Sequence, residues 1–194
     1  MMRVAILLGA VRKGRQSHKA TRFVTRLLKE LEIETDLIDL AKHPLPVFGT
    51  AEKTDSKAEK TIKTIGSRLD MADALIFATP EYQGSFSGVL KNALDYYRPE
   101  FNRKPIGVIA ISSGKFGGIN AVTQLQHVIL NLGAFPMPTR FLVPEVDLAF
   151  NDINETGNKQ IIARANKFIR EFLWFASALY QKKMGERMAD TLHG

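Results

Sequence analysis

The chain of 194 residues contains no cysteine, so disulfide bonds, thiolate chemistry and cysteine-ligated metal sites are excluded. Long apolar runs are also missing near the N-terminus, where Met-Met-Arg is followed by only five apolar residues, 4–8, before Gly9. A signal-peptide core and a membrane-spanning helix both require longer runs than this one. We therefore expect a cytoplasmic protein with no membrane partner.

Histidine is scarce as well. The four histidines, His18, His43, His127 and His193, show no spacing typical of metal ligands, and we expect no metal. No Ser-His-Asp set or carboxylate pair indicates a hydrolase. Acidic residues number 20 against 27 lysines and arginines, which gives a net charge of +7. The basic residues form no stripe interleaved with aromatics, so we expect no nucleic-acid partner.

Short apolar strands alternate with helical patterns along most of the chain. Strands are predicted at 3–8, 33–40, 72–78, 106–111 and 134–143. Helices are predicted at 17–31, 56–71, 87–97, around 122–132 and at 159–180. This alternation predicts an α/β fold with a doubly wound parallel sheet. Since no repeat or linker interrupts it, we expect one domain over 1–183 and a frayed tail at 184–194.

Three loops rich in glycine, serine and charged residues follow predicted strands. We call them the first loop (9–17), the second loop (80–85) and the third loop (112–118). In doubly wound sheets, ligands bind outside the carboxyl ends of the strands. Each loop alone could be ordinary turn chemistry, but three on one edge predict a ligand site.

The first loop has the character of an anion site. It lacks the G-x-G-x-x-G pattern of dinucleotide sites and the G-x-x-x-x-G-K-[ST] pattern of NTPases. It carries instead Arg12, Arg15, Gln16 and Ser17, which suit one terminal monophosphate at a helix N-terminus. Ser17 is the predicted N-cap of that helix. The alternative for Arg12 and Arg15 is a pair of exposed loop charges.

The three loops together resemble those of a known family. The first contains Gly9-Ala10-Val11-Arg12 and Ser17, close to G-S-x-R-x-x-S. The second reads Pro80-Glu81-Tyr82-Gln83-Gly84-Ser85, with 88–93 after it, and the third is Ser112-Ser113-Gly114-Lys115-Phe116-Gly117-Gly118. Over residues 3 to 145 the chain resembles the NADPH-dependent FMN reductases, flavodoxin-like reductases of quinones, azo compounds and chromate. It departs at Ala10, where a hydroxyl residue is usual, at Gln83, usually Asn, and at Ser87, often Pro.

The resemblance implies a flavodoxin-like fold, with a five-stranded parallel sheet in the order 2-1-3-4-5 and helices on both faces. It implies FMN as the cofactor, with Arg12 and Ser17 on its phosphate and support from Arg15 and Gln16. The isoalloxazine ring would lie between two groups of residues, mostly through their main chain: Pro80, Glu81, Tyr82 and Gln83 on one side, and Ser113, Gly114, Gly117 and Gly118 on the other. Glycines allow such close approach of the backbone.

Two of these residues have alternatives. Tyr82 could pack near the ring or be an aromatic on the rim that packs against the next helix. Glu81 could be a general acid, but we favour a structural role, either capping or pairing with Lys91 or Arg98. No side chain need be catalytic, because the flavin itself performs the redox step.

The resemblance further implies an enzyme that passes hydride from NADPH or NADH through FMN to a small-molecule acceptor. The acceptor could be a quinone, an azo compound, free flavin or a metal oxyanion, reached by a ping-pong mechanism. The alternatives are a flavodoxin-type electron carrier, which the basic charge disfavours, and a flavin-free regulatory module. Family resemblance also suggests a homodimer or homotetramer, with the helix at 86–98 and its Tyr96-Tyr97-Arg98 end near the contact.

Overall fold

The structure is a computed structural model that describes residues 2–50 and 56–193, with side chains as far as Glu186. The described strands are β1 (Arg3–Leu8), β2 (Glu34–Asp39), β3 (Ala74–Tyr82), β4 (Ser85–Phe86), β5 (Pro105–Ile111) and β6 (Phe135–Val143). The described helices are α1 (Ser17–Glu30), α2 (Ser56–Asp70), α3 (Gly88–Tyr96), α4 (Arg98–Phe101), α5 (Ile119–Asn131), α6 (Val146–Ala149) and α7 (Lys159–His193).

Five strands form a parallel sheet in the order β2-β1-β3-β5-β6. When only the parallel strands are numbered, this is the predicted order 2-1-3-4-5, so the fold class is confirmed. The order reverses at β1, which lies between β2 and β3, and the first loop leaves the sheet from this strand. The carboxyl edge next to such a switch point is where doubly wound sheets bind ligands.

The sequence pattern predicted a loop at 80–85, but the structure has a regular element there. β3 continues through Pro80 to Tyr82, and β4 pairs with it antiparallel, with Tyr82 opposite Ser85. Gln83 and Gly84 form the two-residue turn, with φ angles of 48° and 73°. Positive φ at both positions is the signature of a type I′ hairpin turn. The predicted loop is therefore a short hairpin that projects from the sheet edge.

Each face of the sheet carries its own core, so helices lie on both faces as predicted. Along β1, Val4, Ile6 and Leu8 pack with α1 and α7, whereas Ala5 and Leu7 pack with the opposite cluster from α2, α3 and α5. This alternation follows from the two-residue period of a strand. It explains why β1 reads as apolar throughout.

Helix α7 extends from Lys159 to His193, past the end predicted at residue 180. Most of the segment 184–194, which we expected to be a frayed tail, therefore has a helical backbone. The single domain over 1–183 stays a prediction. Among the described helices, none combines the length and the apolar character that crossing a membrane requires.

Candidate functional site

The three loops meet at a small cavity of about 120 Å³ at the carboxyl edge of the sheet. Eight of the residues predicted for the site line it: Arg12, Arg15, Gln16, Ser17, Pro80, Glu81, Tyr82 and Ser113. The other four predicted residues, Gln83, Gly114, Gly117 and Gly118, are not part of its lining. Four further residues, which the sequence analysis missed, complete it: Ile111, Ser112, Val146 and Asp147.

Helix α1 begins at this cavity with its N-terminal N–H groups available. The N-cap residue is Gln16 rather than the predicted Ser17, and no side chain caps the helix. In the described part of the chain, the main-chain N–H groups of Ser17 and His18 have no hydrogen-bond acceptor. Such groups at the positive end of a helix dipole are the donors that an anion needs. A terminal phosphate therefore fits this end of the cavity.

The two arginines of the first loop have different surroundings. The Arg12 guanidinium carbon lies 6.0 Å from the centre of the Tyr82 ring, and Arg12 forms no ion pair with any described residue. Arg15 is held in a bidentate pair with Asp39 at the end of β2, through N–O distances of 2.7 and 2.6 Å. Arg12 is thus the arginine whose charge is available at the cavity.

Asp39 stays ionised in this pair. Burial alone would raise the pKa of its carboxyl, but hydrogen bonds from Arg15 and from the N–H of Ala41 oppose that effect. The neighbouring charges of Arg15 and Lys42 act in the same direction, and the pKa is lowered from its usual value. A charged carboxylate therefore lies one strand away from the proposed phosphate position, neutralised by Arg15.

His18, beside the same helix terminus, adds little positive charge at neutral pH. Its burial lowers the pKa, and although a hydrogen bond to the Arg15 carbonyl raises it, the charges of Arg22, Arg15 and Lys19 lower it further. The Nδ1 atom lies 2.9 Å from that carbonyl oxygen. The imidazole thus bonds to the loop backbone instead of offering a cation to the site.

Glu81 fastens the hairpin to helix α5. Its carboxylate accepts hydrogen bonds from the main-chain N–H groups of Asn120 and Ala121, at 3.0 and 3.2 Å, and from the Asn120 amide. These are first-turn donors of α5, whose N-cap is Gly118 and therefore offers no side chain. The capping role is confirmed. Pairing with Lys91 is wrong, because Lys91 pairs instead with Asp95, at 2.6 Å.

The four residues of the third loop that were predicted for the site divide into two groups. Gly117 and Gly118 are buried with φ angles of 65° and 89°, and a Cβ on Gly118 would lie 2.8 Å from the Ala110 Cβ. Packing against the sheet therefore requires both glycines, whatever binds nearby. Ser113 and Gly114 are exposed, and a Cβ on Gly114 would meet only the Ser112 hydroxyl, at 3.4 Å. The open stretch of backbone is thus 113–114.

A second and larger cavity of about 620 Å³ lies on the other side of the first loop, where Val11 lines it. Its walls are the segment 40–47 and helix α3. Asn92 holds this segment to α3, since its amide accepts from the Phe48 N–H and donates to the Pro46 carbonyl, both at 2.8 Å. The sequence analysis assigned no role to Asn92, and only the fold brings it beside the proline-containing segment.

The sheet order defines a flavodoxin-like α/β protein, and the first loop lies at the carboxyl edge, where such sheets bind ligands. The family model described as NADPH-dependent FMN reductase matches residues 2–147. The chain belongs to this family.

Individual relatives agree with this assignment. The chain is 29% identical over 184 residues to the FMN-dependent NADPH-azoreductase of Staphylococcus aureus strain USA300, covering 91% of this chain and 96% of that protein. Its fold is similar to that of the flavoenzyme NAD(P)H:(acceptor) oxidoreductase FerB from Paracoccus denitrificans, with a TM-score of 0.78, 22% identity and coverage of 92% and 98%. The azoreductase of Bacillus anthracis strain Sterne gives a TM-score of 0.54 at 17% identity, with coverage of 94% and 100%.

Proposed function

We propose that this protein is an FMN-dependent oxidoreductase that takes hydride from NADPH or NADH and delivers the electrons to a small acceptor. Membership of the NADPH-dependent FMN reductase family supports the cofactor and the reductant. The observation that carries the proposal is the cavity where the unbonded N–H groups at the start of α1, Arg12 and the exposed residue Ser113 come together.

The residues around this cavity fit the two ends of FMN. The N–H groups of Ser17 and His18, with the Ser17 hydroxyl and Arg12, would hold the phosphate, and Gln16 lies beside them. Main-chain groups of residues 80–83 and 113–114 would face the isoalloxazine ring. Gly117 and Gly118 would contribute indirectly, because their positive φ angles and close packing against the sheet set the course of the third loop. Bound FMN would supply the hydride-accepting and electron-donating chemistry, while the chain binds and positions it.

The kinetic mechanism that we propose is ping-pong. The described residues form one α/β unit, with no second nucleotide-binding unit beside it. NAD(P)H and the acceptor would then use the same open face in turn. The acceptor class that we propose is a quinone, an azo compound, free flavin or a metal oxyanion, and the similarity to an azoreductase supports testing an azo dye first.

We also propose a homodimer or homotetramer with α3 at the contact. Support comes from the exposed apolar residues Val47 and Phe48, which lie on the segment that α3 holds beside the larger cavity. Tyr97 does not belong to this surface, because it is buried and its hydroxyl donates to the Ile62 carbonyl. Sedimentation-velocity measurements test the assembly directly, and a monomer at all concentrations would contradict it.

The enzymatic proposal is tested on the purified protein. A yellow protein, or a colourless one that FMN titrates to a stoichiometric complex, is expected. With FMN bound, it should oxidise NADPH in the presence of a small quinone or an azo dye. Double-reciprocal plots of the initial rate against the NADPH concentration, measured at several acceptor concentrations, should be parallel. FMN binding without turnover would favour an electron carrier. A protein that FMN does not titrate would favour a flavin-free module and refute the proposal.

A further inference from the structure

Arg15 and Asp39 form an almost buried pair beneath the first loop. Only 16% of the Arg15 side chain and 8% of the Asp39 side chain are exposed. Besides the two bonds between them, the Ala41 N–H donates to the Asp39 carboxylate at 3.1 Å, and the Arg15 guanidinium donates to the Ala10 carbonyl. The pair therefore joins the end of β2 to the backbone of the first loop.

The carbonyl groups of the first loop are largely occupied by donors from the protein itself. Side chains donate to the carbonyls of Gly9, Ala10, Gly14, Arg15 and Ser17, from Ser87, Arg15, Gln16, His18 and Thr21 in that order. Main-chain N–H groups donate to two more, that of Arg15 to the Arg12 carbonyl and that of Lys19 to the Gln16 carbonyl. Phosphate oxygens only accept hydrogen bonds at neutral pH, so a carbonyl facing them would be repelled. Fixing the carbonyls to protein donors leaves the N–H groups of the α1 terminus for the anion.

We propose that Arg15 and Asp39 are positioning residues for the FMN phosphate, which fix the first loop through the Ala10 carbonyl, and that Arg15 does not itself contact the phosphate. The inference rests on the proposed FMN-binding function. It changes the role of Arg15, which the sequence analysis expected to support Arg12 and Ser17 in binding the phosphate. It also gives Asp39, which lies outside every motif, a part in cofactor recognition.

The charges near the loop also support different roles for Arg12 and Arg15. Asp39 is ionised, and without a partner its negative charge would oppose a phosphate close by. Arg15 cancels that charge by a bidentate pair, a geometry that uses the terminal nitrogens of its guanidinium. Turning Arg15 toward the phosphate would break both bonds and leave the Asp39 carboxylate almost buried and unpaired. Arg12 has no carboxylate partner among the described residues, so its guanidinium can bind the anion.

Titrations of the apoprotein with FMN and with riboflavin test the proposal, because riboflavin lacks the phosphate. The variants are Arg15→Gln, Asp39→Asn and the double variant. Each single change should weaken FMN binding by about tenfold, by analogy with the outer-shell partners of metal ligands. The double variant should bind FMN no more weakly than either single one, since the two residues act as one unit. Riboflavin affinity should not change.

The chain offers a matched control on the same strand. Asp36 forms a bidentate pair with Arg68, at 2.5 and 2.9 Å, away from the first loop. Asp36→Asn should therefore leave FMN affinity unchanged, which separates loop positioning from general destabilisation. Arg15→Lys keeps the positive charge but not the bidentate geometry, and it should weaken FMN binding as much as Arg15→Gln does.

Three results would overturn the inference. If Asp39→Asn leaves FMN binding unchanged or tightens it while Arg15→Gln weakens it, Arg15 binds the phosphate directly. If Arg15→Lys binds FMN as wild type, charge alone suffices and the pair has no positioning role. Equal losses of FMN and riboflavin affinity would show a general structural effect. Failure of the wild-type protein to bind FMN would refute the proposed function instead, so the two failures are distinguishable.

Discussion

Replacing Gly9 with alanine is expected to move the first loop away from helix α3. A Cβ built on Gly9 would lie 2.5 Å from the Leu90 Cβ, 3.2 Å from the Ser87 hydroxyl oxygen and 3.3 Å from the Leu90 Cα. Ordinary contacts between carbon atoms are about 3.5–4.0 Å, so the loop and the helix must separate by roughly 1 Å or more.

The energetic penalty follows from what blocks the new methyl group. The Leu90 Cα and Cβ cannot be moved by a change of rotamer, and Gly9 and Leu90 are both buried, so the backbone must shift. Overpacking of this kind costs about 1–3 kcal/mol. The shift also strains the bond from the Ser87 hydroxyl to the Gly9 carbonyl, 2.5 Å long, which adds about 1 kcal/mol. We expect a loss of roughly 2–4 kcal/mol in unfolding free energy, together with weaker FMN binding.

Urea unfolding followed by circular dichroism measures the first effect, and FMN titration measures the second. Gly88→Ala is the matched control, because its Cβ would have no atom within 4 Å and lies in the first turn of α3. That control should leave stability unchanged or raise it by about 0.4–1 kcal/mol. A loss below about 0.5 kcal/mol in Gly9→Ala, typical of an unremarkable surface change, would refute the close loop–helix contact.

Three further predictions concern single side chains. Arg12→Ala should weaken FMN binding by roughly 1.5–3 kcal/mol, the range for a charged hydrogen bond, and leave riboflavin binding unchanged; unchanged FMN retention would refute its assignment. Gln83→Asn should raise the unfolding free energy by about 0.5 kcal/mol, because asparagine tolerates the left-handed φ of this turn better; a loss in urea unfolding would contradict this. Lys104 is buried, its ammonium donates to the carbonyls of Leu69 and Asp70, and burial lowers its pKa from 10.5 to about 8. The unfolded chain therefore holds this proton up to a higher pH than the folded protein does. Between pH 8 and pH 10.5 the unfolding free energy of the wild type, measured with urea, should rise by about 3 kcal/mol relative to that of Lys104→Met. A difference in unfolding free energy that does not change with pH would exclude the lowered pKa.

The sheet could be predicted from sequence because its three central strands, β1, β3 and β5, are mostly short apolar runs that end at glycine or polar residues. The hairpin was missed because Pro80 and Gly84 read as loop residues. Pro80 is nevertheless tolerated as the last residue of β3 to pair with β5, opposite Ile111. Helix α7 was predicted too short because its apolar stripe weakens after residue 180, although its backbone stays helical to His193.

The sequence predicted that the three loops lie at one edge of the sheet, as they do, but it did not predict which residues pair there. The local sequence pattern does not distinguish the roles of Arg12 and Arg15, since both lie in one basic loop. They are distinguished by Asp39, which the parallel pairing of β1 with β2 brings beside the loop, 24 residues away in sequence from Arg15. Asp147 lines the cavity for the same reason: it follows β6, whose neighbour in the sheet is β5. Contacts between residues so far apart in the chain produce no periodic pattern in the sequence from which they could be predicted.

The loss of a hydroxyl at Ala10 also has a different meaning in the fold. A hydroxyl residue is usual at this position in the family, yet Ala10 is only 1% exposed and belongs to the core cluster between the sheet, α1 and α7. A side chain in that position is surrounded by apolar groups, and an unpaired hydroxyl among them is unfavourable. Alanine therefore suits the packing, and what position 10 contributes to the loop is its carbonyl, held by Arg15. If FMN binds as proposed, recognition of its phosphate depends on how the loop backbone is fixed, and Arg15, Asp39 and Ser87 fix it.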